Sequence, residues 1–144
     1  MTTSGNWFLW AALSAVFAAL TTIFAKIGVQ GVDADLATLI RTVIILLVLS
    51  VFVAVAGKWS NPLDLSSRTW FYLGLSGLAT GASWVCYFRA LQNGDASKVA
   101  PVDKFSLVLV AVFAFAVLGE RPSMREWVGI ALVAGGVLIL ALKR

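Results

Sequence analysis

Five long apolar runs, separated by short polar segments, organise the chain. Each run is continuous rather than alternating in polarity, and each is close to the about 20 residues that an α-helix needs to cross a bilayer. The strands of a membrane β-barrel would instead alternate between apolar and polar residues. The pattern therefore predicts an all-α membrane protein, a single domain over residues 1–144 with spans at roughly 7–27, 34–56, 69–91, 96–118 and 124–142.

Helix starts are marked by capping residues. The sharpest signal precedes the fifth span, where Ser123 and Glu126 form the S-x-x-E pattern of a capping box. Side chains that can accept the first free N–H groups also precede the second and third spans. The candidates there are Asp33 or Asp35 and Ser66 or Ser67.

Composition supports a bilayer as the solvent. Hydrophobic residues make up 60% of the 144 positions and charged residues 12%, whereas about a quarter of a soluble domain is charged. Tryptophans cluster near predicted span ends, where an interfacial aromatic belt belongs: Trp7, Trp10, Trp59, Trp70 and Trp127. We therefore expect a multi-pass protein of the cell inner membrane, in contact with the lipid bilayer.

Several function classes are not expected. The net charge is +4, but the basic residues are dispersed at helix ends, so no nucleic-acid partner is predicted. The chain has one cysteine, Cys86, and no histidine, so neither an intrachain disulfide nor a transition-metal site is expected, and no cofactor is predicted. No nucleophile–base pair, paired carboxylates or phosphate-binding loop points to an enzyme.

The charge balance leaves the orientation of the chain in the membrane open. With five spans, four Lys and Arg residues fall on the side of the N-terminus and six on the opposite side, Arg41 being left out because it lies within a span. A stronger bias is usual where topology is fixed. Two interpretations follow: one orientation with a weak bias, or insertion of copies both ways to form an inverted homodimer of ten helices.

Charges inside the spans are the main candidates for function, because an ionised group in hydrocarbon is costly. Arg41 lies about 9 Å beyond Asp35 along the second span and should face the bundle interior. Asp103 is the carboxylate placed well within a span. Its expected partners are Arg41, Arg89 or Lys104, and it serves either an internal ion pair or a solute pathway. Lys26, at the end of the first span, either snorkels to the interface or joins that pathway.

The third span carries a row of hydroxyl groups on one helix face. Its members recur at spacings of three and four residues: Tyr72, Ser76, Thr80, Ser83 and Tyr87. The row either lines a water-filled cavity or makes hydrogen bonds between helices. Trp84, beside it, would add an aromatic wall for an organic ligand.

Backbone features add two further expectations. Pro101 either bends the fourth span, freeing carbonyls near Asp103, or is simply tolerated in a first turn. Gly129 and Gly136 lie two turns apart in the fifth span, where small residues allow close helix packing.

Several segments of the chain resemble EamA domains of the drug/metabolite transporter superfamily. The matching segments are Tyr87 to Ser97 with Val99-Ala100-Pro101, Leu118-Gly119-Glu120-Arg121, Trp127-Val128-Gly129 and Gly135 to Leu138. The resemblance covers essentially the whole chain. It implies one half of a ten-helix transporter, paired as an antiparallel homodimer, with helices 1, 3 and 4 near a central cavity. It also implies that Gly119, Glu120 and Arg121 form a structural turn.

The chain departs from that family's usual pattern in two places. Lys98, Asp103 and Lys104 make the fourth span more charged than in most such domains. The first span has no carboxylate, whereas the related small multidrug exporters carry a glutamate there for proton and cation exchange. Export of lipophilic cations by that mechanism is therefore not expected.

Together these observations predict a transporter that moves a small organic metabolite by alternating access. Arg41, Arg89 and Lys104, with Lys26 more peripheral, would form a positive cavity that favours an anionic or zwitterionic solute. Asp103 would partly neutralise this cavity and is the candidate for a coupling proton. Two alternatives stay open: a non-transporting accessory or scaffold subunit, and a flippase for a lipid-linked substrate, which would have a cavity open sideways to lipid.

Overall fold

The computed structural model describes residues 6–142, and Lys143 and Arg144 of the charge count lie outside them. The described part is helical with short connections and contains no strand, so the all-α prediction is confirmed. The helices are α1 (Asn6–Gly28), α2 (Ala34–Val55), α3 (Ser67–Asn93), α4 (Ala96–Asp103), α5 (Ser106–Phe113) and α6 (Met124–Ala141), with a 3₁₀ turn at Pro62–Asp64 and a π-helical turn at Ala114–Leu118.

Four of the five predicted spans are long and apolar enough to cross a membrane, within the described residues. They are Trp7–Gly28, Ala34–Val55, Ala96–Leu118 and Met124–Ala141. The helix α3 has the length, at 27 residues, but is not in this group. Its hydroxyl-bearing, glycine and charged residues lower the mean hydropathy of the helix. That α3 crosses the membrane therefore stays a prediction.

The predicted caps are present where a side chain can accept free N–H groups. Asp33, rather than the alternative candidate, caps α2 by accepting two backbone N–H groups at 3.0 and 3.1 Å. Ser66 Oγ accepts the N–H of Thr69 at 3.1 Å at the start of α3. Ser123 and Glu126 form the reciprocal capping box of α6. These side chains fix where three helices begin.

The fourth predicted span is interrupted rather than continuous. The N–H of Lys104 donates to the Pro101 carbonyl at 3.0 Å, and the N–H of Phe105 donates to the Val102 carbonyl at 3.0 Å, which are the tight bonds of a 3₁₀ turn. Proline lacks an N–H and its ring crowds the preceding turn, which weakens the helix there. The span predicted over residues 96–118 is present and is made of α4, α5 and the π-helical turn in succession, with a local opening just after Pro101. The role of Pro101 in transport stays a prediction.

The π-helical turn leads into the tight loop before α6. Gly119 ends this turn with φ of 70°, a left-handed conformation that side-chain-bearing residues rarely adopt. The N–H of Glu120 donates to the Ala114 carbonyl at 3.2 Å and closes the turn. The chain can therefore reverse within a few residues and start α6 at Met124.

Two compact units make up the described chain. Within the described residues, unit I comprises those up to Ile23 together with those from Gly94 to Leu142, and unit II comprises Phe24–Asn93. In unit I, α4 and α5 pack against α6. In unit II, α2 packs against α3. The buried residues of unit II gather near the start of α2 and the end of α3: Ala25, Val29, Ala34, Thr38, Phe88 and Leu91.

Candidate functional site

Arg41 lies on an aromatic platform within unit II. The centre of its guanidinium is 4.4 Å from the Trp84 ring centroid and 5.4 Å from that of Phe88. Both distances are within the range of cation–π attraction. Trp84 and Phe88 are four residues apart, so α3 presents both rings on one face towards α2. The packing of these two helices therefore holds the cation in place.

The Arg41 guanidinium contacts rings that lie some way from the end of α3, and Arg41 itself belongs to the candidate span Ala34–Val55. Phe88 and Trp84 lie roughly 8 and 14 Å along the helix from the end of α3, at 1.5 Å per residue. A snorkelling arginine would instead direct its charge to the nearer helix end. Among residues 6–142, Arg41 has ring contacts but no hydrogen-bond acceptor or carboxylate partner. Its N–H donors are therefore available to a ligand or to water.

Arg89 is paired, in contrast to Arg41. Its Nε donates to Asp35 Oδ1 at 2.9 Å and its Nη2 donates to Asp35 Oδ2 at 2.6 Å. Two parallel bonds between a guanidinium and a carboxylate are a strong and directional arrangement. Both side chains are about half exposed or more, at 61% and 49%. The pair joins the end of α3 to the first turn of α2.

Two more side chains join the end of α3 to its neighbours. Lys26 Nζ, from α1, donates to the Leu91 carbonyl at 2.6 Å. Gln92 Nε2 donates to the Val32 carbonyl, in the α1–α2 connection, at 3.0 Å. We call these two bonds and the Arg89–Asp35 pair the α3-end clamp. Leu91, whose carbonyl belongs to the clamp, is buried, and these contacts hold the end of α3 to its neighbours within unit II.

The hydroxyl row of α3 is largely uncovered. Tyr72, Ser76, Thr80 and Ser83 are exposed, and Tyr87 is partly buried. Thr80 Oγ1 donates to the Ser76 carbonyl at 2.8 Å, a bond within the helix itself. The Arg68 guanidinium lies 5.9 Å from the Tyr72 ring centroid near the helix start. Most of the row thus presents polar groups that no other segment of the described chain covers.

Asp103 and Lys104 lie in unit I. Lys104 Nζ is 3.2 Å from Asp103 Oδ2, so of the three expected partners of Asp103 the structure shows Lys104. Lys98 pairs in the same unit with Asp95 at 2.9 Å. The cations predicted to form one positive cavity therefore differ in their contacts. Arg89, Lys26 and Lys104 contact oxygen atoms that accept hydrogen bonds, whereas Arg41 contacts aromatic rings.

Sequence reasoning missed Asp35 and Gln92 as members of the clamp. The sequence indicates Asp35 as a candidate helix cap and carries no local sign that it pairs with Arg89. A usable signal exists, because short connections make consecutive helices antiparallel and bring the start of α2 level with the end of α3. That placement puts Asp35 and Arg89 at one end of the helix pair.

Unit I contains an open groove of about 580 Å³ between α5 and α6. Glu120, Arg121 and Gly129, predicted to be structural, lie along it, whereas Gly136 does not line it. The remaining lining is mostly apolar: Leu107, Val108, Val110, Ala111, Ala114, Pro122, Glu126, Ile130 and Val133. No group of three His, Cys, Asp or Glu side chains within residues 6–142 is arranged to hold a metal ion.

Comparison with known proteins relates the chain to transporters. The family model described as "EamA-like transporter family" matches residues 5–142. An "Uncharacterized transporter in cobO 3'region" of Sinorhizobium sp is 55% identical over 138 residues, which are 96% of this chain and 98% of that protein. A "Probable 4-amino-4-deoxy-L-arabinose-phosphoundecaprenol flippase subunit ArnE" of Yersinia pestis (strain Pestoides F) is 29% identical over 87 residues, 58% of this chain and 74% of that protein. No solved structure matches the chain.

The α3-end clamp predicts that Asp35→Asn and Arg89→Gln each lower the resistance of the purified protein to unfolding in SDS. Both remove the same paired bonds, so the double variant should be less destabilised than the sum of the two single variants. Lys98→Gln is the matched control, because Lys98 forms its ion pair with Asp95, three residues away at 2.9 Å, at the start of α4 in unit I. Additive effects of the two substitutions would contradict the clamp.

Proposed function

The chain belongs to the EamA-like transporter family, and from this premise we propose that it carries a small organic metabolite, anionic or zwitterionic, across the cell inner membrane by alternating access. The observation that carries the charge preference is Arg41, which lies in a candidate span and on an aromatic platform, without a carboxylate partner in the described chain. Its donors match a carboxylate or phosphate oxygen pair in geometry and charge.

Magnitudes favour a polar ligand over a purely structural role. An arginine at the centre of a span costs about 2.5 to 3.5 kcal/mol on insertion scales. A desolvated cation–π contact returns about 2 kcal/mol, so the two rings can offset much of that cost. The rings cover a face of the guanidinium, however, and not its N–H edges, and each unsatisfied donor costs about 1 to 3 kcal/mol more. Water or an anionic solute at that edge removes the remaining cost.

The hydroxyl row gives such a solute a path along α3. Tyr72, Ser76 and Ser83 are exposed along the helix, and a hydroxyl group without a hydrogen-bond partner is unfavourable in hydrocarbon. Trp84 lies on the same helix, under the Arg41 guanidinium. We propose that the row faces an aqueous cavity that leads to Arg41, with Trp84 and Tyr87 beside the bound solute.

The second half of the transporter would be a second copy of this chain in the inverted orientation. The family match covers residues 5–142, which is one domain of half length. The nearly balanced count of Lys and Arg permits insertion both ways. An antiparallel homodimer would then supply ten helices around one cavity.

Asp103 is the proposed site for a coupling proton. It lies two residues after Pro101 and next to Lys104, whose ammonium is 3.2 Å from its carboxylate. The 3₁₀ turn at this point is a local weakness at which the helix can change shape. Protonation of Asp103 would release Lys104 and couple charge to that change.

Two other functions compete with this proposal. A flippase for a lipid-linked substrate is favoured by the likeness to the ArnE subunit. A non-transporting accessory subunit would use the embedded charges only for structure. Protection of the purified protein against thermal unfolding by organic acids, and not by lipid-linked sugars, would favour the metabolite transporter over both.

We expect Arg41→Gln to weaken uptake of organic acids into proteoliposomes, tested with a panel of labelled carboxylates and amino acids. Loss of a charge-assisted bond of about 2 kcal/mol raises the apparent KM roughly thirtyfold. Arg41→Lys should keep part of the activity, because it keeps the charge but not the bidentate geometry.

Arg68→Gln is the matched control for Arg41→Gln, since Arg68 also lies over an aromatic ring but at the start of α3.

Asp103→Asn in the same vesicles separates coupling from binding: uptake driven by a pH gradient should fail while exchange of solute continues. Unchanged transport in the Arg41 and Asp103 variants would remove both residues from the mechanism.

If copies of the chain insert in both orientations, topology reporters fused to it should be found on both sides of the membrane. One reporter at the C-terminus and another in the loop that contains Asn61 should each give a mixed signal in cells, because copies insert both ways. Adding two lysines to that loop should bias the population towards one orientation and reduce transport. A clean one-sided signal from the unaltered chain would contradict the inverted homodimer.

A further inference from the structure

The groove between α5 and α6 has the shape of a site for an extended apolar chain. Its α6 wall is formed by residues at positions 126, 129, 130 and 133, which share one helix face. Its α5 wall likewise uses one face of that helix. Ala111, Ala114 and Gly129 leave the floor without bulk. A Cβ added at Gly129 would meet nothing within 4 Å, as at Gly135 and Gly136 of the same helix, so a larger side chain there can be introduced without a clash at its Cβ.

Two opposite charges lie at one end of this groove. Glu120 and Arg121, in the loop before α6, are neighbours in sequence, and both line the groove. Both are exposed, and within residues 6–142 neither has an ion-pair or hydrogen-bond partner through its side chain. Glu126, by contrast, is engaged by the N–H of Ser123 at 2.6 Å. A free carboxylate and a free guanidinium side by side are complementary to the ammonium and phosphate of a zwitterionic headgroup.

The position of the groove fits the depth at which such a lipid lies. The charged end is the loop that leads into α6, a candidate membrane span. From Glu126 to Val133 the groove extends about 10 Å along the helix, or about a third of a hydrocarbon core. Trp127 and Phe115 contact edge to face at 6.4 Å near the charged end, where aromatic residues belong at an interface.

We propose that this groove binds one acyl chain of a zwitterionic phospholipid, with the headgroup held by Glu120 and Arg121. The volume of about 580 Å³ lies within the range of small-ligand sites. A helix from a second copy would need a seam along the whole span, whereas the lining ends at Val133, half way along α6. The groove lies in unit I and Arg41 lies in unit II, and the proposal does not depend on which solute is transported.

The test is native mass spectrometry of the full-length protein, purified and mixed with equal amounts of phosphatidylethanolamine and phosphatidylglycerol. We expect retention of one phosphatidylethanolamine per protomer, and weaker retention of phosphatidylglycerol, which lacks the ammonium group. Gly129→Leu should abolish retention by filling the floor. Arg121→Gln should weaken it about tenfold, which corresponds to the loss of one charge-assisted bond.

Matched controls separate the groove from general effects. Gly136→Leu makes the same backbone change in α6 outside the groove, and Arg125→Gln removes a nearby charge that does not line it; both should retain lipid as the unaltered protein does. Should Gly129→Leu fail to fold, Arg121→Gln and Glu120→Gln still decide the outcome. Equal retention in all variants, equal retention of both lipids, or a dimer that dissociates in Gly129→Leu without lipid loss would overturn the proposal.

Discussion

The cation–π platform under Arg41 is the interaction on which the functional account depends. Without Trp84 and Phe88, a guanidinium at this depth would be drawn to the helix end, where it would be one more interfacial charge. The rings at 4.4 and 5.4 Å hold it inside unit II and leave its N–H edge unmatched in the described chain. A stabilised cation with free donors is suited to reversible anion binding, because a permanent carboxylate partner would compete with the solute.

The cations of unit II that were predicted to line a cavity differ in what they contact. Arg89 and Lys26 bind acceptors in the α3-end clamp, at distances of 2.6 to 2.9 Å, and so fix the end of α3 against α1 and α2. That rigidity matters for Arg41, since Trp84 and Phe88 lie on the same helix below the clamp. Charge alone therefore does not single out a site: of Lys26, Arg41 and Arg89, Arg41 is the one without a hydrogen-bond acceptor in the described chain, and we propose it as the anion-binding group.

Local features of this fold could be predicted from sequence, and tertiary partners could not. Ser123 and Glu126 fixed the start of α6 because a capping box needs only residues three apart. Pro101 indicated a weakness in the fourth span, but the π-helical turn at Ala114–Leu118 has no comparable signal in an apolar run. The Asp35–Arg89 pair could not be predicted without knowing that the start of α2 lies beside the end of α3. The sequence gives no sign of the groove, because a glycine such as Gly129 is equally typical of close helix packing.

Water access along α3 tests the central claim most directly. In a chain with Cys86→Ser, Thr80→Cys places a thiol on the hydroxyl row, and Leu78→Cys places one at nearly the same depth on the opposite face, where Leu78 is 74% exposed. We expect a charged, membrane-impermeant thiol reagent to label the first in native membranes and not the second, with an organic acid slowing the labelling. No labelling at position 80, or equal labelling at both positions, would contradict an aqueous path leading to Arg41.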